Sequence, residues 1–485
     1  MVTPNWSPKS PEWCNETYKL LSESRVEKIR QQTIKDIIKK SKAFPVKFPI
    51  NTGRCKTLKK IEEKKMLEKN INSVYPIIHE NALELYCKFL LFKRECGSSK
   101  EKTLYEKMSL KDFINRLLLK RAVIFIGLAD KFLLMNKKCG MGNWELVGTD
   151  KEFSPLIMKK CLTYDEMKLS VFLSVSSYTY FVNLGERANF GKHLENREDI
   201  AREGIIIGLI GPRLKKRNVM EYQEIVFSEA QNTNVNGYGT KINASVHKLF
   251  SEFYEETCMD YEEALELKNS DNERYRNLMN DLLFDNHYYY KRLTISIDTL
   301  LVEANYRAKS ADKTAYIHVV GLGLGVWKIS SHQEEVYMET FAKRILALAP
   351  NLHSVSDICF SYIDQDKCGD YKHGEVFKLQ GHPLGGINIH ILKRNPHEKV
   401  SEGKLLVVSY AWDGNALPGN EYWCENLSGS SDSATASSTQ IAEIHNPHIN
   451  PLVCADELRV VKEGQIVTFE EYQNLIRCSK ADQKT

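Results

Sequence analysis

A short apolar run that ends in a glycine-rich loop constrains this fold most. Residues 405–408 read Leu-Leu-Val-Val, and residues 413–421, here called the acid loop, read DGNALPGNE. A run this short and this apolar predicts a buried strand. The glycines let the loop backbone approach another group closely, because they carry no Cβ. The pattern therefore predicts a buried sheet with a ligand-binding loop at the end of one strand.

A second glycine-rich loop follows an earlier predicted strand. Residues 317–327 read IHVVGLGLGVW, and Ser331 and Glu334 fit the S-x-x-E pattern of a helix start. A strand, a glycine loop and a helix N-terminus together can cradle a phosphate. The spacing is neither that of a P-loop nor that of a dinucleotide-binding fingerprint, since the next acid, Asp364, lies too far along the chain. Residues 321–327, the glycine loop, are a candidate phosphate site, with close packing of strand and helix as the alternative.

The acid loop carries two carboxylates that can take part in chemistry. Asp413 and Glu421 can accept hydrogen bonds from sugar hydroxyls or act as bases. In open α/β sheets, ligands bind beyond the carboxyl ends of strands, where this loop is expected. The alternative is a turn whose Asp and Asn side chains cap their own backbone. Asp432, in the Ser-rich stretch that follows, either caps the next helix or is a third acid in the same cleft.

The order of the predicted elements indicates an α/β fold. The first 120 residues are mainly helical, with apolar residues near helical spacing in residues 26–38, 82–92 and 110–118. Strands and helices then alternate, which favours a mixed sheet with helices on both faces. We expect a mainly helical N-terminal region over residues 1–150 and an α/β domain over residues 151–480. The later predicted strands are residues 204–211, 220–227, 315–320, 357–363, 387–392 and 405–410, and the later predicted helices are residues 245–256, 272–284, 293–309, 333–348 and 436–444.

Composition argues against several classes of protein. No apolar run approaches the roughly 18–20 residues of a membrane span, and residues 1–13 lack the apolar core of a secretory signal. The 12 cysteines are scattered without a C-x-x-C pair, which favours free thiols in a reducing compartment. His445 and His448 are too isolated for zinc, and the Asp-rich residues 361–370 lack EF-hand spacing. We therefore expect a cytoplasmic protein without a metal.

Positive charge is concentrated near the N-terminus. The whole chain carries +4, whereas residues 25–69, the basic segment, hold 15 Lys and Arg against 5 Asp and Glu, or +10. A pair of solvated helices would account for this charge. A surface that docks an acidic partner is the alternative. Nucleic acid fits less well, because the segment has few aromatic residues to stack on bases.

Four blocks of sequence resemble one known family. They are MEYQEIVFSEAQNTNVNGYG (residues 220–239), HVVGLGLGVWK (318–328), YAWDGNALPGNEYW (410–423) and STQIAEIHNPHINP (438–451). These blocks are similar to the arginine-specific macrodomain ADP-ribosyl hydrolases, typified by a Legionella effector that acts on ADP-ribosylated ubiquitin and with relatives in eukaryotes. The block that contains the acid loop is the most specific of the four.

The resemblance implies a macrodomain-like fold, in which a mixed sheet lies between helices and holds an ADP-ribose cleft. It implies that the glycine loop binds the diphosphate and that the acid loop surrounds the distal ribose. The family depends on a set of acids, and their spacing fits Asp413, Glu421 and Asp432 as catalytic residues. The implied ligand-binding residues are Gly321, Leu322, Gly323, Leu324, Gly325, Val326, Trp327, Gly414, Asn415, Gly419 and Asn420.

The implied reaction is metal-independent hydrolysis of the N-glycosidic bond between ADP-ribose and an arginine guanidinium. The carboxylates would orient the distal ribose and the guanidinium, activate water and favour developing oxocarbenium character. The implied partner is an ADP-ribosylated protein, with ubiquitin as one candidate, and ADP-ribose is a ligand while no cofactor is expected. A non-catalytic reader of ADP-ribose, and a poly(ADP-ribose) glycohydrolase-like enzyme or phosphodiesterase, are the alternatives.

Overall fold

The structure, a computed structural model, describes residues 4, 6–270 and 273–482, and its elements are numbered in chain order. The strands are β1 (Tyr75–His79), β2 (Ile124–Ile126), β3 (Lys131–Leu133), β4 (Cys139–Gly140), β5 (Ser174–Tyr180), β6 (Glu203–Leu209), β7 (Val226–Phe227), β8 (Tyr275–Asn277), β9 (Leu283–Asp285), β10 (Thr314–Val319), β11 (Val355–Phe360), β12 (Lys367–Cys368), β13 (Tyr371–Lys372), β14 (Val376–Lys378), β15 (Gly386–Ile391), β16 (Lys404–Ala411), β17 (Arg459–Lys462) and β18 (Gln465–Thr468). The helices are α1 (Asn15–Glu23), α2 (Ile34–Ala43), α3 (Cys55–Leu58), α4 (Lys64–Asn72), α5 (Glu80–Cys96), α6 (Ser99–Tyr105), α7 (Leu110–Leu119), α8 (Tyr164–Ser170), α9 (Tyr222–Ile225), α10 (Val246–Phe253), α11 (Tyr261–Ser270), α12 (Asn286–Ser310), α13 (Gln333–Leu348), α14 (Ser431–Ser438), α15 (Ile441–Ile444) and α16 (Phe469–Asp482).

A ten-stranded mixed sheet organises these elements. The strand order across it is β14-β15-β11-β10-β16-β6-β5-β1-β17-β18. The five neighbouring strands from β15 to β6 run parallel to one another. The flanking strands β14 and β5 run antiparallel to them. The carboxyl ends of the five parallel strands therefore lie along one edge of the sheet, here called the carboxyl edge, and their starts lie along the amino edge.

Helices cover both faces of the sheet, as two neighbouring serines on β5 demonstrate. Ser176 Oγ donates to Glu303 Oε1 on α12 over 2.6 Å. Ser177 Oγ lies 2.8 Å from Nε2 of His445, which directly follows α15. Successive side chains of a strand point to opposite faces, so α12 lies on one face and α15 on the other. The predicted mixed α/β fold is confirmed, and a macrodomain in particular stays a prediction.

The long helix α12 anchors the core and the helix that follows the glycine loop. Its N-cap, Asp285, accepts from the amides of His287 and Tyr288 at 2.9 and 3.1 Å. Farther along, Asp298 receives two hydrogen bonds, 2.7 and 2.9 Å long, from Arg344 on α13. Both partners are buried, and a buried pair that loses one member leaves the other charge uncompensated. The pair therefore holds α13 firmly against α12.

The N-terminal region supplies a strand to the central sheet in addition to its helices. The predicted helical character is confirmed by α1 to α7. β1, however, pairs with β5 on one side and with β17 on the other. Its five residues, YPIIH, are too few to show a period of their own between helical patterns. The predicted boundary near residue 150 stays a prediction.

Two predicted elements are wrong, one of them because its turn residues break the helix. The described part of the predicted helix at residues 272–284 forms the hairpin of β8 and β9 (residue 272 lies outside the described residues). Leu278 N donates to Leu282 O over 2.8 Å across its turn, and Asn280 and Asp281 adopt positive φ. Asn and Asp are among the residues that tolerate this conformation best. The predicted strand at residues 220–227 is the short helix α9 followed by the two-residue β7.

The predicted helix at residues 436–444 is two helices, α14 and α15, that meet at a break. Thr439 is extended there, with φ of −137°. The amide of Gln440 donates to Thr179 Oγ1 on β5 over 3.1 Å instead of continuing the helix. This hydrogen bond joins residues that are far apart in the sequence, so local sequence could not predict it. The other predicted elements of this region are confirmed to within a few residues, apart from the 293–309 helix, which begins earlier, at Asn286.

None of the described helices is both long and apolar enough to cross a membrane.

The cysteines are free thiols, as predicted. A cytoplasmic location stays a prediction.

Candidate active site

Loops that follow β6, β16 and β10 meet at the carboxyl edge. A Cβ on Gly211, just after β6, would lie 2.1 Å from the amide nitrogen of Gly323 in the glycine loop. A Cβ on Gly414 in the acid loop would lie 2.3 Å from Cδ1 of Ile210. The contact at Gly211 is with backbone and excludes a Cβ, whereas at Gly414 the side chain of Ile210 would have to shift. Both loops that the sequence singled out therefore pack against the residues that follow β6.

The glycine loop presents unpaired backbone amides. Within the part of the chain that the structure describes, none of the amides of residues 323–327 donates a hydrogen bond to another protein group. Leu322 is buried and fixes the loop, whereas Val326 is 68% exposed. Tyr337 on α13 donates to Val320 O over 2.9 Å at the start of the loop. A run of amides without protein acceptors at a strand end favours an anion.

The helix after the glycine loop begins differently from the S-x-x-E prediction, which is wrong. α13 starts at Gln333, whose side chain accepts from the amides of Ile329 and Ser330 at 2.9 and 3.1 Å. Glu334 does not reach back to Ser331; its carboxylate bonds to Lys328 and accepts from the amide of Asp364 over 2.9 Å. The long-range contacts of Glu334 replace the local cap.

Asp413, Glu421 and Asp432 are brought together around the acid loop. Asp432 Oδ1 accepts from the amide of Gly419 at 2.8 Å, and its Oδ2 accepts from the amide of Asp413 at 3.4 Å. Ser430, the N-cap of α14, donates to Glu421 Oε2 over 2.7 Å. Asp432 is therefore not the cap of this helix. It lies inside the first turn of α14 and clamps both ends of the acid loop.

The three acids differ in their contact with solvent. Asp432 is buried, at 1% exposure, whereas Asp413 and Glu421 each keep part of their surface exposed. Asp413 and Glu421 are therefore the more accessible of the three acids, and Asp432 is the least accessible.

Desolvation and like charge raise the pKa of two of these acids. The protein packed around Asp413 raises its pKa to about 7, mainly by excluding water, and the Glu421 carboxylate adds to the effect. Burial likewise raises the pKa of Asp432 well above its usual range, with further contributions from Glu421 and Asp413. An acid whose pKa lies near neutral pH is suited to proton transfer under physiological conditions.

A buried arginine, which the sequence analysis missed, supports the acid loop. Arg213 follows β6, is 1% exposed, and donates to Asn415 Oδ1 in the acid loop. Its Nε donates to Glu221 Oε2 over 3.2 Å, and its Nη2 donates to Met167 O over 2.9 Å. The Arg213 charge opposes the increase in the pKa of Asp413. Its position just after a predicted strand was the one feature of the sequence that could have identified it.

A second missed cation, Arg121, lies behind the residue that precedes Asp413. Its guanidinium carbon is 3.9 Å from the ring centroid of Trp412, and Nη2 donates to Ser170 O over 3.1 Å. Burial lowers the pKa of Arg121 to about 9. Nε and Nη1 find no hydrogen-bond partner among the described residues. The acids are thus flanked by two buried cations.

The two asparagines of the acid loop face the protein. Asn420 accepts from the amide of Phe125 on β2 and donates to its carbonyl, both at 2.9 Å, and also donates to Asp413 Oδ2 over 3.0 Å. Asn415 bonds to Arg213 as described above, and both asparagines are buried. They hold the acid loop from inside, and their contact with a ligand stays a prediction.

The two histidines near α15 are engaged separately. His445 lies against Ser177 and Tyr410, whereas Nε2 of His448 is 3.1 Å from Leu119 O. Among the described residues, no group of three or more His, Cys, Asp or Glu side chains is arranged to hold a metal ion.

Known proteins are similar in sequence to this chain over most of its length. Residues 35–475 match a family described as ADP-ribosylhydrolase MavL-like. A Drosophila melanogaster protein named ADP-ribosylarginine hydrolase CG2909 is 41% identical over 503 residues, which cover 99% of this chain and 98% of the relative. A second one, ADP-ribosylarginine hydrolase CG3568, is 42% identical over 84% of this chain and 82% of its own length. The chain therefore belongs to the MavL-like ADP-ribosylhydrolase family.

Proposed function

We propose that this protein releases ADP-ribose from arginine side chains of modified proteins by hydrolysing the N-glycosidic bond. One observation carries the proposal: three carboxyl groups share a network beside a row of unpaired amides, at the same edge of the sheet. The first group suits a cationic guanidinium and a sugar, and the second suits a diphosphate. The names of the two fly relatives support the same reaction.

The substrate would lie across the ends of β10 and β16. In this pose the amides of residues 323–327 bind the diphosphate, and the acid loop surrounds the distal ribose. The open space beside Gly325, where an added Cβ would meet nothing within 4 Å, leaves room for a phosphate oxygen. The macrodomain character of the fold is part of this proposal.

The partly exposed acids would carry the chemistry. Asp413, with its pKa of about 7, takes a proton from water as the water oxygen bonds to the ribose anomeric carbon. The bond from that carbon to the guanidinium nitrogen breaks, and its electron pair leaves with arginine, which takes the proton back from Asp413. Glu421 holds the guanidinium and stabilises positive charge on the ribose. Asp432 keeps the loop in shape through the amides of Gly419 and Asp413.

The test follows ADP-ribose release from arginine-modified ubiquitin by mass spectrometry. Ubiquitin is the candidate target that the family resemblance implies, and a second arginine-modified protein shows whether the target matters. A protein modified on glutamate provides the linkage control. We expect release from arginine but not from glutamate, and much slower release with Asp413→Asn. Tight ADP-ribose binding without release would indicate a reader, and release only from poly(ADP-ribose) would indicate a glycohydrolase.

A further inference from the structure

The basic segment packs directly against the acid loop. The rings of Phe44 and Phe48 lie 5.0 and 4.9 Å from the ring of Trp423, two residues after Glu421. The hydroxyl of Tyr422 donates to Ile50 O over 3.4 Å. The middle of the basic segment therefore forms one wall beside the exposed end of the acid loop.

A buried glutamate fixes this wall in position. Glu443 on α15 accepts from Ser41 Oγ at 2.7 Å, from Arg54 Nε at 3.1 Å and from the amide of Cys55 at 2.7 Å. A Cβ on Gly53 would lie only 2.2 Å from Thr439 O, so the backbones touch here. The wall is thus held rigidly to the elements that carry the acids.

Four lysines of this wall form no ion pair with a described residue. Lys42, Lys47 and Lys60 are exposed and Lys56 is half-buried, and together they are here called the lysine surface. In the described residues of the basic segment, the ion pairs are made by Arg30, Arg54, Lys64 and Lys69 instead. Burial lowers the pKa of Lys56, the charges of Arg54, Lys42 and Lys60 lower it further, and Glu443 opposes this decrease. Lys42 and Lys60 therefore lie close enough to Lys56 to repel it.

We propose that the lysine surface docks an acidic region of the protein whose modified arginine enters the cleft. The inference rests on the proposed function, because it names the kind of substrate that the same site would select. Unneutralised cations at the rim of a cleft attract negative surfaces, which speeds encounter and favours one class of partner. Nucleic acid fits less well, since Phe44 and Phe48 are buried against Trp423 and offer no face to a base.

The test compares two peptides of equal length, each with one ADP-ribosylated arginine flanked by either Glu or Lys residues. We expect kcat/KM to be about tenfold higher for the Glu-flanked peptide at low salt, and the gap to shrink as salt rises. A variant carrying Lys42→Glu, Lys47→Glu and Lys60→Glu loses this preference. The matched control carries Lys372→Glu, Lys378→Glu and Lys393→Glu, at exposed positions near the far side of the sheet, and keeps it.

Free ADP-ribosylarginine separates docking from catalysis. Its hydrolysis and the melting temperature should be the same in both variants as in the parent protein. The proposal is overturned if the parent protein has equal kcat/KM for the two peptides. It is also overturned if the lysine variant loses kcat/KM equally on all three substrates.

If no substrate is hydrolysed, the proposed function fails, and the lysine surface is tested by binding of the unmodified, fluorescently labelled Glu-flanked peptide. Loss of binding in the lysine variant but not in the control supports docking, and no binding to the parent overturns it. Tighter binding of a single-stranded RNA oligonucleotide than of this peptide overturns the proposal in favour of a nucleic-acid surface.

Discussion

The amino and carboxyl edges of the parallel strands differ in how deeply their charged side chains are buried. The amino edge holds a cavity of about 620 Å³ whose lining includes Arg197, Arg202, Lys313, Lys399 and Lys404. Its Arg202–Glu62 pair, 2.6 Å long, is solvent-accessible, with the arginine side chain 55% exposed. The carboxyl edge has an arginine–glutamate pair of the same kind, Arg213 with Glu221, but both side chains are at most 4% exposed. Desolvation therefore distinguishes the edge with perturbed acids.

The largest expected effect comes from removing the proposed base. Asp413→Asn should keep the shape of the acid loop and lower kcat by about 10²- to 10⁴-fold, because general base catalysis is lost. Lys313→Gln, in the amino-edge cavity, should leave kcat unchanged. Steady-state kinetics with ADP-ribosylarginine measures both. Similar losses in the two variants would remove the functional distinction between the edges.

Substitutions of Arg213 and Arg202 compare the contributions of a buried and a solvated ion pair to stability. Arg213→Met removes the partner of Asn415 Oδ1 and leaves buried Glu221 with only the longer, 3.5 Å ion pair to Arg292, so it should lower the free energy of unfolding by about 3–5 kcal/mol. Arg202→Met breaks a solvated pair and should cost less than about 1 kcal/mol. Urea denaturation of both variants gives the comparison. Equal values would mean that burial of the pair does not matter here.

The raised pKa of Asp413 predicts a dependence of stability on pH. Between about pH 4 and 7 the folded protein keeps a proton on Asp413 that the unfolded chain has lost, so this group makes stability fall as pH rises. The free energy of unfolding of Asp413→Asn, minus that of the parent, should therefore grow by up to about 4 kcal/mol over this range.

Subtraction removes the titrating groups that do not interact with Asp413 from this measurement. Burial lowers the pKa of His445 to about 3, so His445 changes stability with the opposite sign, but equally in both proteins. A difference that stays constant from pH 4 to 7 would contradict the raised pKa.

The smallest effect distinguishes two glycines of the glycine loop. Gly323 has φ of +71°, and a Cβ there would lie 2.6 Å from Pro212 O. Gly323→Ala should lower the free energy of unfolding by about 1–3 kcal/mol and weaken ADP-ribose binding, since the loop must move. Gly325→Ala, with nothing within 4 Å, should change stability by less than about 1 kcal/mol. Calorimetric binding and thermal melting check both variants, and the reverse order would refute the packing of the loop against the end of β6.

Local patterns predicted the loops of the carboxyl edge but not what supports them. The acid loop and the glycine loop each follow an apolar strand, and each pattern is contained in 17 residues or fewer. Arg213 and Asn415 are bonded across 202 positions of sequence, so no window includes both. β1 was missed for a similar reason, because its partners β5 and β17 are distant in sequence.

The Ser-rich stretch around Asp432 illustrates a different limit. It has low complexity, yet it forms the buried helix α14. Thr435 Oγ1 donates to Ser431 O at 2.7 Å, and Ser437 Oγ donates to Ser433 O at 2.8 Å. Hydroxyls that bond to the preceding turn can be buried in a helix without apolar residues to mark its period. The position of Asp432 beneath the acid loop therefore could not be predicted from the sequence.

A crystal structure of Asp413→Asn with ADP-ribose tests the central claim most directly. The account predicts the diphosphate against the amides of residues 323–327 and the distal ribose beside residues 413 and 421. Density for ADP-ribose in the amino-edge cavity, beside Arg197 and Lys404, would contradict it.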